Sequence, residues 1–458
     1  MKRIAFILLF AIIASGTLTL FQKPLYTAAL SDQLTAYAVV LMDARTGRVL
    51  YYKNQHTLVE PASTTKIMTC LLALEHLPLD KVVTIDAESP FTGGSRIALV
   101  EGERLTVEDL LLALMLNSAN DAAVALAIAI AGSVENFSVM MNNRAREIGA
   151  LRPSYQNPTG LHGPEHLATA YDLAVVSMEA MRNPEFRRIV GTVTHDIMSP
   201  DGSSVRAYLR NTNRMLHDET TRIPVRGVMT PPLFYGATGI KTGFTPQAGG
   251  TLAASAERGG TELIAVVLGS TVDARFSDSI KLLEFGFENF FTHRAVDSNA
   301  LVEAAPVMRG VFNRVPVKVR EDKYITLPIH ASVALVSTEV VMDENITAPV
   351  EAGQILGRVD VFEGVTLVGA VPVVAAASIE QGMFLSRFGV EDSTSLLIIR
   401  YLVIIGSVSA ALVILYFALL FRYRLKRKAR IKELAMQIAL ERQERQKDLD
   451  KRQWPYRD

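Results

Sequence analysis

The segment Pro61-Ala62-Ser63-Thr64-Thr65-Lys66-Ile67-Met68-Thr69 decides the fold, because a serine and a lysine stand three residues apart where an apolar helical pattern begins. Apolar residues recur at i, i+4 and i+7 from Ile67 onward, which predicts an amphipathic helix from about Ser63 to Glu75. Residues three apart on a helix are neighbours, so the Ser63 hydroxyl faces the Lys66 amine. A lysine that loses its proton in a desolvated site can activate a serine hydroxyl. The segment therefore predicts a nucleophile and its base.

Two further motifs follow this pair in order, Ser118-Ala119-Asn120 and Lys241-Thr242-Gly243. Ser-x-x-Lys alone is expected about twice by chance in a chain of this length, whereas Lys-Thr-Gly is expected about 0.1 times. The ordered set is therefore a strong signal and not a coincidence of composition. Gly243 lets a backbone approach closely, and a strand that carries Lys241 and Thr242 presents alternate side chains beside a substrate.

The turn around Ser118 lies between two predicted helices. Thr106 and Asp109 form a capping-box pattern ahead of the first helix, and Asp121 is predicted to cap the second. Short polar side chains in such a turn can be held outward into a cleft. The alternative is that Ser118 and Asn120 only cap helix ends.

The order of predicted elements is strands, a helical block, then strands and a helix. The predicted strands are Ala36 to Met42, Val49 to Tyr52, Gly239 to Gly243, Thr251 to Ala256 and Leu263 to Leu268, and the predicted helices are Leu110 to Leu116, Ala122 to Ala131, Thr169 to Met181 and Ser277 to Phe290. This order predicts an α+β domain in which the first and last strands meet in one antiparallel sheet. Val-rich alternation and short Gly-bounded runs then predict a small all-β domain.

These patterns divide the 458 residues into six segments. We expect a signal peptide over 1–28, a catalytic domain over 33–292, a small β domain over 299–380, a linker over 381–400, a transmembrane helix over 401–421 and a basic tail over 422–458. The charged, apolar and small-residue regions near the N-terminus are typical of a secretory signal. An uncleaved N-terminal anchor is the alternative.

The run from Tyr401 to Phe421 contains no charged residue and is long enough to cross the hydrocarbon core of a bilayer. The tail after it carries 13 Lys and Arg against six Asp and Glu. By the positive-inside rule, this places the tail in the cytoplasm and the catalytic domain on the outer side of the cell membrane. We interpret the basic residues as a topology signal in contact with lipid headgroups and not as a nucleic-acid site.

The positions of the cysteine and of three histidines bear on whether the protein has a disulfide or a metal site. Cys70 is the only cysteine, so the exported part has no internal disulfide, and its place in the apolar helix predicts a core residue. His162, His166 and His195 lack the spacing of metal ligands and are interpreted as loop or surface residues. We therefore predict neither a metal nor a cofactor.

The motifs and their flanks resemble the D-alanyl-D-alanine carboxypeptidases, the low-molecular-weight penicillin-binding proteins of the bacterial cell wall. The resemblance is carried by Glu60-Pro61-Ala62-Ser63-Thr64-Thr65-Lys66 and by Gly239-Ile240-Lys241-Thr242-Gly243-Phe244-Thr245. It continues over Ala348-Pro349-Val350-Glu351-Ala352-Gly353-Gln354 in the β domain. It implies a catalytic domain with a β-lactamase/transpeptidase-like fold.

The resemblance also implies a reaction. Ser63 attacks the carbonyl of the penultimate D-Ala of a peptidoglycan stem pentapeptide and forms an acyl-enzyme, with Lys66 as base. Ser118 relays the proton to the leaving nitrogen, and Asn120 binds the substrate backbone. The same site binds β-lactam antibiotics as inhibitors.

Further residues follow from the same resemblance. The backbone N–H groups of Ser63 and Phe244 form the oxyanion hole. Lys241, Thr242 and Arg275 hold the terminal carboxylate of the substrate. For Arg275 the alternative is an ordinary surface arginine.

Three other functions share parts of this pattern. A class A β-lactamase needs a separate deacylating glutamate, and no Glu-x-x-Leu-Asn stretch lies between the second and third motifs. A transpeptidase uses the same acyl-enzyme and hands it to an amine, so motifs alone leave that function open. A non-catalytic scaffold that binds the cell wall would not need intact catalytic residues.

Overall fold

The computed structural model describes residues 30, 33–198, 205–300, 302–388 and 390–452. The predicted signal peptide over 1–28 lies outside the described residues. The chain divides into two compact units. The first is formed by the described residues up to Val296 with Asp322–Thr338 and Val361–Val368, and the second by Asp297–Glu321, Glu339–Asp360 and the described residues from Gly369 onward.

The described strands are β1 Ala38–Asp43, β2 Val49–Lys53, β3 Val82–Thr84, β4 Arg104–Thr106, β5 Thr194–Met198, β6 Val205–Arg210, β7 Ile223–Val225, β8 Val228–Thr230, β9 Ala237–Thr245, β10 Gly249–Arg258, β11 Thr261–Ser270, β12 Phe290–Val296, β13 Ala305–Pro306, β14 Arg314–Val315, β15 Val317–Val319, β16 Lys323–Pro328, β17 Val336–Met342, β18 Ile355–Glu363 and β19 Thr366–Ala375. The described α-helices are α1 Lys66–His76, α2 Val107–Leu116, α3 Asn120–Ala131, α4 Val134–Glu147, α5 Ala170–Met181, α6 Pro184–Gly191, α7 Ala274–Asn289 and α8 Asp392–Arg452.

A five-stranded antiparallel sheet of order β2-β1-β11-β10-β9 forms the centre of the first unit. Its register sets Val40 opposite Val266 and Ala253 opposite Lys241. The first strands of the domain thus pair with the last, which confirms the predicted α+β arrangement. Strand β9, which carries the Lys-Thr-Gly motif, lies at one edge of this sheet, so one side of it is open to other elements.

Alternate side chains of the sheet enter two separate cores, as the two-residue period of a strand requires. On one face Val40 and Val266 pack with the helical block of α1 to α6. On the other face Val39 and Val267 pack with Phe276 of α7. The sheet is therefore covered by helices on both faces, and its strands are apolar at nearly every position.

Helix α1 differs from its prediction in two ways. The chain makes a 3-10 turn over Ala62–Thr65 before the α-helix starts at Lys66. The helix is also buried around its whole circumference from Lys66 to Ala73, so the prediction of an amphipathic helix is wrong. Small and uncharged side chains such as Thr69 and Cys70 let α2, α3 and α5 pack against every side. Cys70 is fully buried, as predicted, and burial raises the pKa of its thiol.

Helices α2 and α3 flank the turn that contains Ser118. Thr106 caps α2 as predicted, because its hydroxyl accepts a hydrogen bond from Asp109 N at 3.1 Å. The predicted cap of the next helix is wrong. Helix α3 already begins at Asn120, and the buried Asp121 carboxylate accepts hydrogen bonds from Ile97 N and Leu99 N instead. The carboxylate therefore holds a loop against the helix start.

The part of the chain after Val296 contains the predicted short strands. The sheet of order β15-β19-β18-β17 is antiparallel between β15 and β19, with Val317 opposite Ala375 and Val319 opposite Val373. Val317 and Val319 of β15 and Val371 and Val373 of β19 are buried, in agreement with the Val-rich alternation of the sequence, whereas Val340 of β17 is exposed. Strand β16 pairs with β12, and both belong to the first compact unit.

The C-terminal helix α8 starts at Asp392, so residues 392–400 of the predicted linker are helical. The reason is that no glycine or proline occurs between Asp392 and Gly406 to interrupt the helix. Among the described residues, one unbroken helix is long and apolar enough to span a membrane, Asp392–Asp450, with a mean hydropathy of 2.6 in its apolar part. It includes the predicted membrane segment over 401–421.

Candidate active site

The nucleophile candidate Ser63 lies in the 3-10 turn ahead of α1. The turn is anchored through the carbonyl oxygen of Pro61, which accepts from the Thr64 hydroxyl at 2.6 Å and from the Thr251 hydroxyl on β10 at 3.1 Å. The half-buried Ser63 is thereby held where the first turn of α1 meets the edge of the sheet.

The amine of Lys66 is buried and makes three contacts. It lies 2.6 Å from Asn120 Oδ1, 2.6 Å from the carbonyl oxygen of Thr159 and 3.1 Å from Ser63 Oγ. Burial and the nearby charge of Lys241 lower the pKa of Lys66 well below its usual value. The neutral amine is therefore favoured.

A neutral amine has two N–H donors and one lone pair. Asn120 Oδ1 and the Thr159 carbonyl oxygen can only accept, so they take the two donors. The lone pair is then left for the third neighbour, the Ser63 hydroxyl. The orientation of the Asn120 amide is set independently, because its Nδ2 donates to Gly93 O at 2.6 Å. The geometry thus suits removal of a proton from Ser63 by Lys66.

Ser118 occupies the turn between α2 and α3 with a positive φ of 59°. Its hydroxyl oxygen is buried and has no hydrogen-bond partner within the described part of the chain. A buried hydroxyl without a partner is costly, and such groups in native proteins often have a catalytic role. Ser118 is therefore placed beside Asn120 by the turn, but no hydrogen bond joins it to Ser63 or Lys66 among the described contacts.

Strand β9 places the third motif against the nucleophile turn. A Cβ atom added to Gly243 would lie 2.8 Å from Ser63 N, so only glycine allows this approach. The Thr242 hydroxyl lies 2.6 Å from that of Thr212. Lys241 is buried, and its amine donates to Thr242 O at 3.1 Å. Burial and the charge of Arg275 lower the pKa of Lys241 to about 7.

Arg275 is buried, with 8% of its surface exposed, so the alternative of a surface arginine is wrong. Its Nη1 donates to the carbonyl oxygen of Gly243 at 2.7 Å. Burial lowers the pKa of Arg275 to about 10. The arginine therefore adds positive charge behind β9. The side chain of Phe244, in contrast, is 54% exposed, and only its backbone belongs to the strand.

The loop that supplies the Thr159 carbonyl was not predicted as part of the site. Gly160 follows with a φ of 82°, and a Cβ atom there would overlap the carbonyl oxygen of Ala62. Asn157 Oδ1 accepts from the backbone N–H groups of Thr159 and Gly160 and so closes the turn. The Asn-Pro-x-Gly composition signals a turn, but only the fold brings that turn to Lys66.

Of the two interpretations of His166, loop or surface residue, the loop is confirmed and the surface is wrong, because His166 lies in a loop with 1% of its surface exposed. Its Nδ1 accepts from Gln156 N at 3.1 Å, which leaves the proton on Nε2, 2.8 Å from Thr65 Oγ1. Burial lowers the pKa of His166 to about 4. The neutral ring thus ties the loop before Thr159 to the residue before Lys66. In the described part of the chain, no group of three or more His, Cys, Asp or Glu residues could hold a metal ion.

Two family models match most of the chain. Residues 25–272 match the family model described as D-alanyl-D-alanine carboxypeptidase, and residues 290–381 match the one described as penicillin-binding protein 5, C-terminal domain. The chain belongs to the D-alanyl-D-alanine carboxypeptidase family. It is therefore a serine-type hydrolase of the low-molecular-weight penicillin-binding proteins, a class that acts on the cell wall and binds penicillin.

Similar relatives cover most of the chain. D-alanyl-D-alanine carboxypeptidase DacF of Bacillus subtilis is 33% identical over 358 residues, which are 77% of this chain and 87% of DacF. DacD of Salmonella typhimurium is 31% identical over 368 residues, with 77% and 89% covered. The crystal structure of penicillin binding protein 5 from Haemophilus influenzae superimposes with a TM-score of 0.61 at 29% identity, covering 76% of this chain and 98% of that one. This confirms the predicted transpeptidase-like fold and the β domain after it.

Proposed function

We propose that Ser63 is the nucleophile with which this carboxypeptidase removes the terminal D-alanine from peptidoglycan stem pentapeptides. The observation that carries the proposal is the buried Lys66 amine, which has two acceptors for its two N–H groups and Ser63 Oγ at 3.1 Å as its remaining neighbour. A serine with a neutral base at this distance is an activated nucleophile.

The reaction proceeds in two halves. Ser63 Oγ bonds to the carbonyl carbon of the penultimate D-Ala while its proton passes to Lys66. The C–N bond then breaks, and the proton reaches the leaving nitrogen through the Ser118 hydroxyl, giving free D-Ala and an ester on Ser63. Water attacks the ester, Lys66 accepts its proton, and Ser63 regains a proton as the acid leaves. The Ser118 hydroxyl suits the relay because it has no competing partner among the described residues.

The remaining residues bind and stabilise the substrate. The backbone N–H groups of Ser63 and Phe244 bind the oxyanion, each contributing about 3 kcal/mol to transition-state stabilisation. Asn120 binds the substrate backbone. Thr242 donates to the terminal carboxylate, and the charges of Lys241 and Arg275 behind β9 attract it. Gly243 supports this assignment because its missing side chain brings β9 against Ser63 N.

We propose a single-pass topology for the whole chain, with the segments predicted from the sequence. The catalytic domain over 33–292 and the β domain over 299–380 lie outside the cell membrane after a signal peptide over 1–28. Residues 401–421 of α8 cross the membrane, and residues 422–458 lie in the cytoplasm. The supporting observation is that six Lys and Arg residues follow the apolar run between 422 and 430.

The reaction is tested by mass spectrometry of the full chain in detergent. After exposure to a penicillin, the wild type should carry one covalent adduct on Ser63, and Ser63→Ala should carry none. In a separate sample that has not met penicillin, a pentapeptide ending in D-Ala-D-Ala should yield the tetrapeptide and free D-Ala. Release of D-Ala with the peptidyl group passed only to an amine acceptor, and no free tetrapeptide, would identify a transpeptidase. The absence of any adduct would leave a non-catalytic scaffold.

A further inference from the structure

Thr212 lies between two buried asparagines that hold its backbone in place. Asn211 Nδ2 donates to the carbonyl oxygens of Val190 and Thr192, at 3.1 and 2.9 Å, and Asn213 N donates to Asn211 Oδ1 at 2.9 Å. Thr212 itself is exposed. The backbone of Thr212 is thus held in place by its neighbours, and its side chain faces solvent and does not pack in the core.

The same segment is joined to the turn that contains Ser118. Thr212 N donates to the carbonyl oxygen of Leu116 at 3.1 Å, and Arg210 N donates to Asn117 Oδ1 at 2.9 Å. Both acceptors lie at the end of α2, directly before Ser118. The backbone of Thr212 is therefore fixed to the end of α2, next to the Ser118 turn.

The side chain of Thr212 reaches strand β9. Its hydroxyl oxygen lies 2.6 Å from the hydroxyl oxygen of Thr242 on β9. Each hydroxyl has one proton, and the bond between them uses only one of the two. The pair therefore keeps one proton for an acceptor outside it. Thr242 is the member that belongs to the Lys-Thr-Gly motif.

We propose that Thr212 is a positioning residue for the terminal carboxylate of the substrate. It donates its proton to Thr242 Oγ1, which turns the Thr242 proton toward a carboxylate oxygen of the substrate. Hydrogen bonds in series polarise one another, so the bond from Thr242 to the carboxylate is strengthened. This inference rests on the proposed function, because it takes Thr242 to contact that carboxylate.

The test compares Thr212→Val, which keeps the branched shape but loses the hydroxyl, with Thr212→Ser, which keeps the hydroxyl. Both variants are made in the full chain, solubilised in detergent. D-Ala release is measured from an acylated Lys-D-Ala-D-Ala peptide. A second donor is an acyl-D-Ala thioester whose leaving thiol has no charge, so that it lacks the terminal carboxylate.

For Thr212→Val we expect KM for the peptide to rise about 3- to 10-fold, as loss of one supporting hydrogen bond implies, with kcat nearly unchanged. Turnover of the thioester should stay at the wild-type level. Thr212→Ser should lie within about twofold of wild type on both donors. A residue with a merely structural role would not distinguish the two donors.

Two results would overturn the inference, namely an unchanged KM for the peptide in Thr212→Val, or an equal loss on both donors. Both results concern the Thr212→Val variant, whereas failure of the proposed function would be seen in the wild type. A wild type that forms no penicillin adduct and releases no D-Ala would remove the proposed function and this inference together.

Discussion

At the scale of single residues, the site depends on charges that the fold keeps out of water. Lys66 and Lys241 are both buried, and the pKa of each is lowered mainly because an ammonium ion loses hydration there. The acceptors around Lys66 and the arginine behind Lys241 then assign different tasks to the two amines. In the proposed reaction, Lys66 removes a proton and Lys241 provides positive charge.

Replacing Lys66 tests its role as base. Lys66→Ala should lower the rate of acylation by a penicillin about 10³-fold, as expected for loss of a positioned base. Lys66→Arg should not restore the rate, because a guanidinium stays protonated. Stopped-flow measurement of adduct formation gives the rates. The exposed Lys81 provides the matched control, and Lys81→Ala should react like wild type. Rapid acylation of Lys66→Ala would show that another group takes the proton.

The pKa of Lys241, about 7, predicts how binding depends on pH. The amine is charged below this pH and neutral above it, so attraction of the substrate carboxylate is lost as pH rises through about 7. We expect kcat/KM for the peptide to fall on this alkaline side, and Lys241→Arg to move the fall to higher pH. Steady-state D-Ala release between pH 5 and 10 measures both. A Lys241→Arg profile identical to that of wild type would speak against the assignment.

At the scale of elements, the loop from Gln156 to His166 shows how a backbone segment becomes part of the site. Its Thr159 carbonyl oxygen bonds Lys66, its Gly160 touches the Ala62 backbone, and His166 ties it to Thr65. Each of these contacts is to the turn or the first residues of α1. The loop and the nucleophile turn therefore behave as one unit.

Gly160→Ala should disrupt this unit. Its positive φ and the overlap of a Cβ atom with Ala62 O both oppose a side chain. We expect no measurable penicillin adduct and a clear drop in the thermal unfolding midpoint. Gly149→Ala is the control, since Gly149 has a φ of 87° but a Cβ atom added there would meet no other atom within 4 Å. Gly149→Ala should lower the free energy of unfolding by about 1–2 kcal/mol, and the variant should keep full activity. Equal effects in the two variants would contradict the proposed contact.

His166 links the same loop to stability. Its pKa of about 4 in the fold lies below the usual 6.5, so the unfolded chain gains a proton first as pH falls. The neutral His166 ring contributes fully to the free energy of unfolding above pH 6.5. As pH falls from 6.5 to 4, this contribution is lost progressively, by roughly 3 kcal/mol. Urea unfolding at several pH values should show this slope in wild type and a smaller slope in His166→Gln. An equal slope in wild type and His166→Gln would contradict this role of His166.

At the scale of the whole molecule, one chain joins an enzyme to an apolar helix that fits membrane anchoring and to a charged segment after it. Helix α8 runs without interruption from Asp392 to Arg452. At about 1.5 Å per residue, its part beyond residue 421 extends roughly 45 Å, farther than the headgroup region of a bilayer. The proposed tail therefore has the length to reach beyond the membrane surface.

The proposed topology predicts the accessibility of engineered cysteines. Glu101→Cys in the catalytic domain should react with a membrane-impermeant maleimide on intact cells, and Gln446→Cys in α8 only after permeabilisation. Both positions are exposed, and the native Cys70 is buried and gives little background. Labelling of Gln446→Cys on intact cells would show that the C-terminal segment lies outside the cell and would contradict the proposed topology.

Local patterns determined much of this protein without a structure. The three motifs, the strand and helix order, the buried Cys70 and the apolar C-terminal run all follow from spacing and composition, because these act over a few residues. The tertiary structure decided what lies far apart in sequence and close in space. It buried α1 on every side, brought the Thr159 carbonyl to Lys66, turned Asp121 from a cap into a loop anchor, and placed Arg275 behind Gly243. The reason is that a buried polar group must find its partner wherever the packing of the core puts one, and no local pattern records that position.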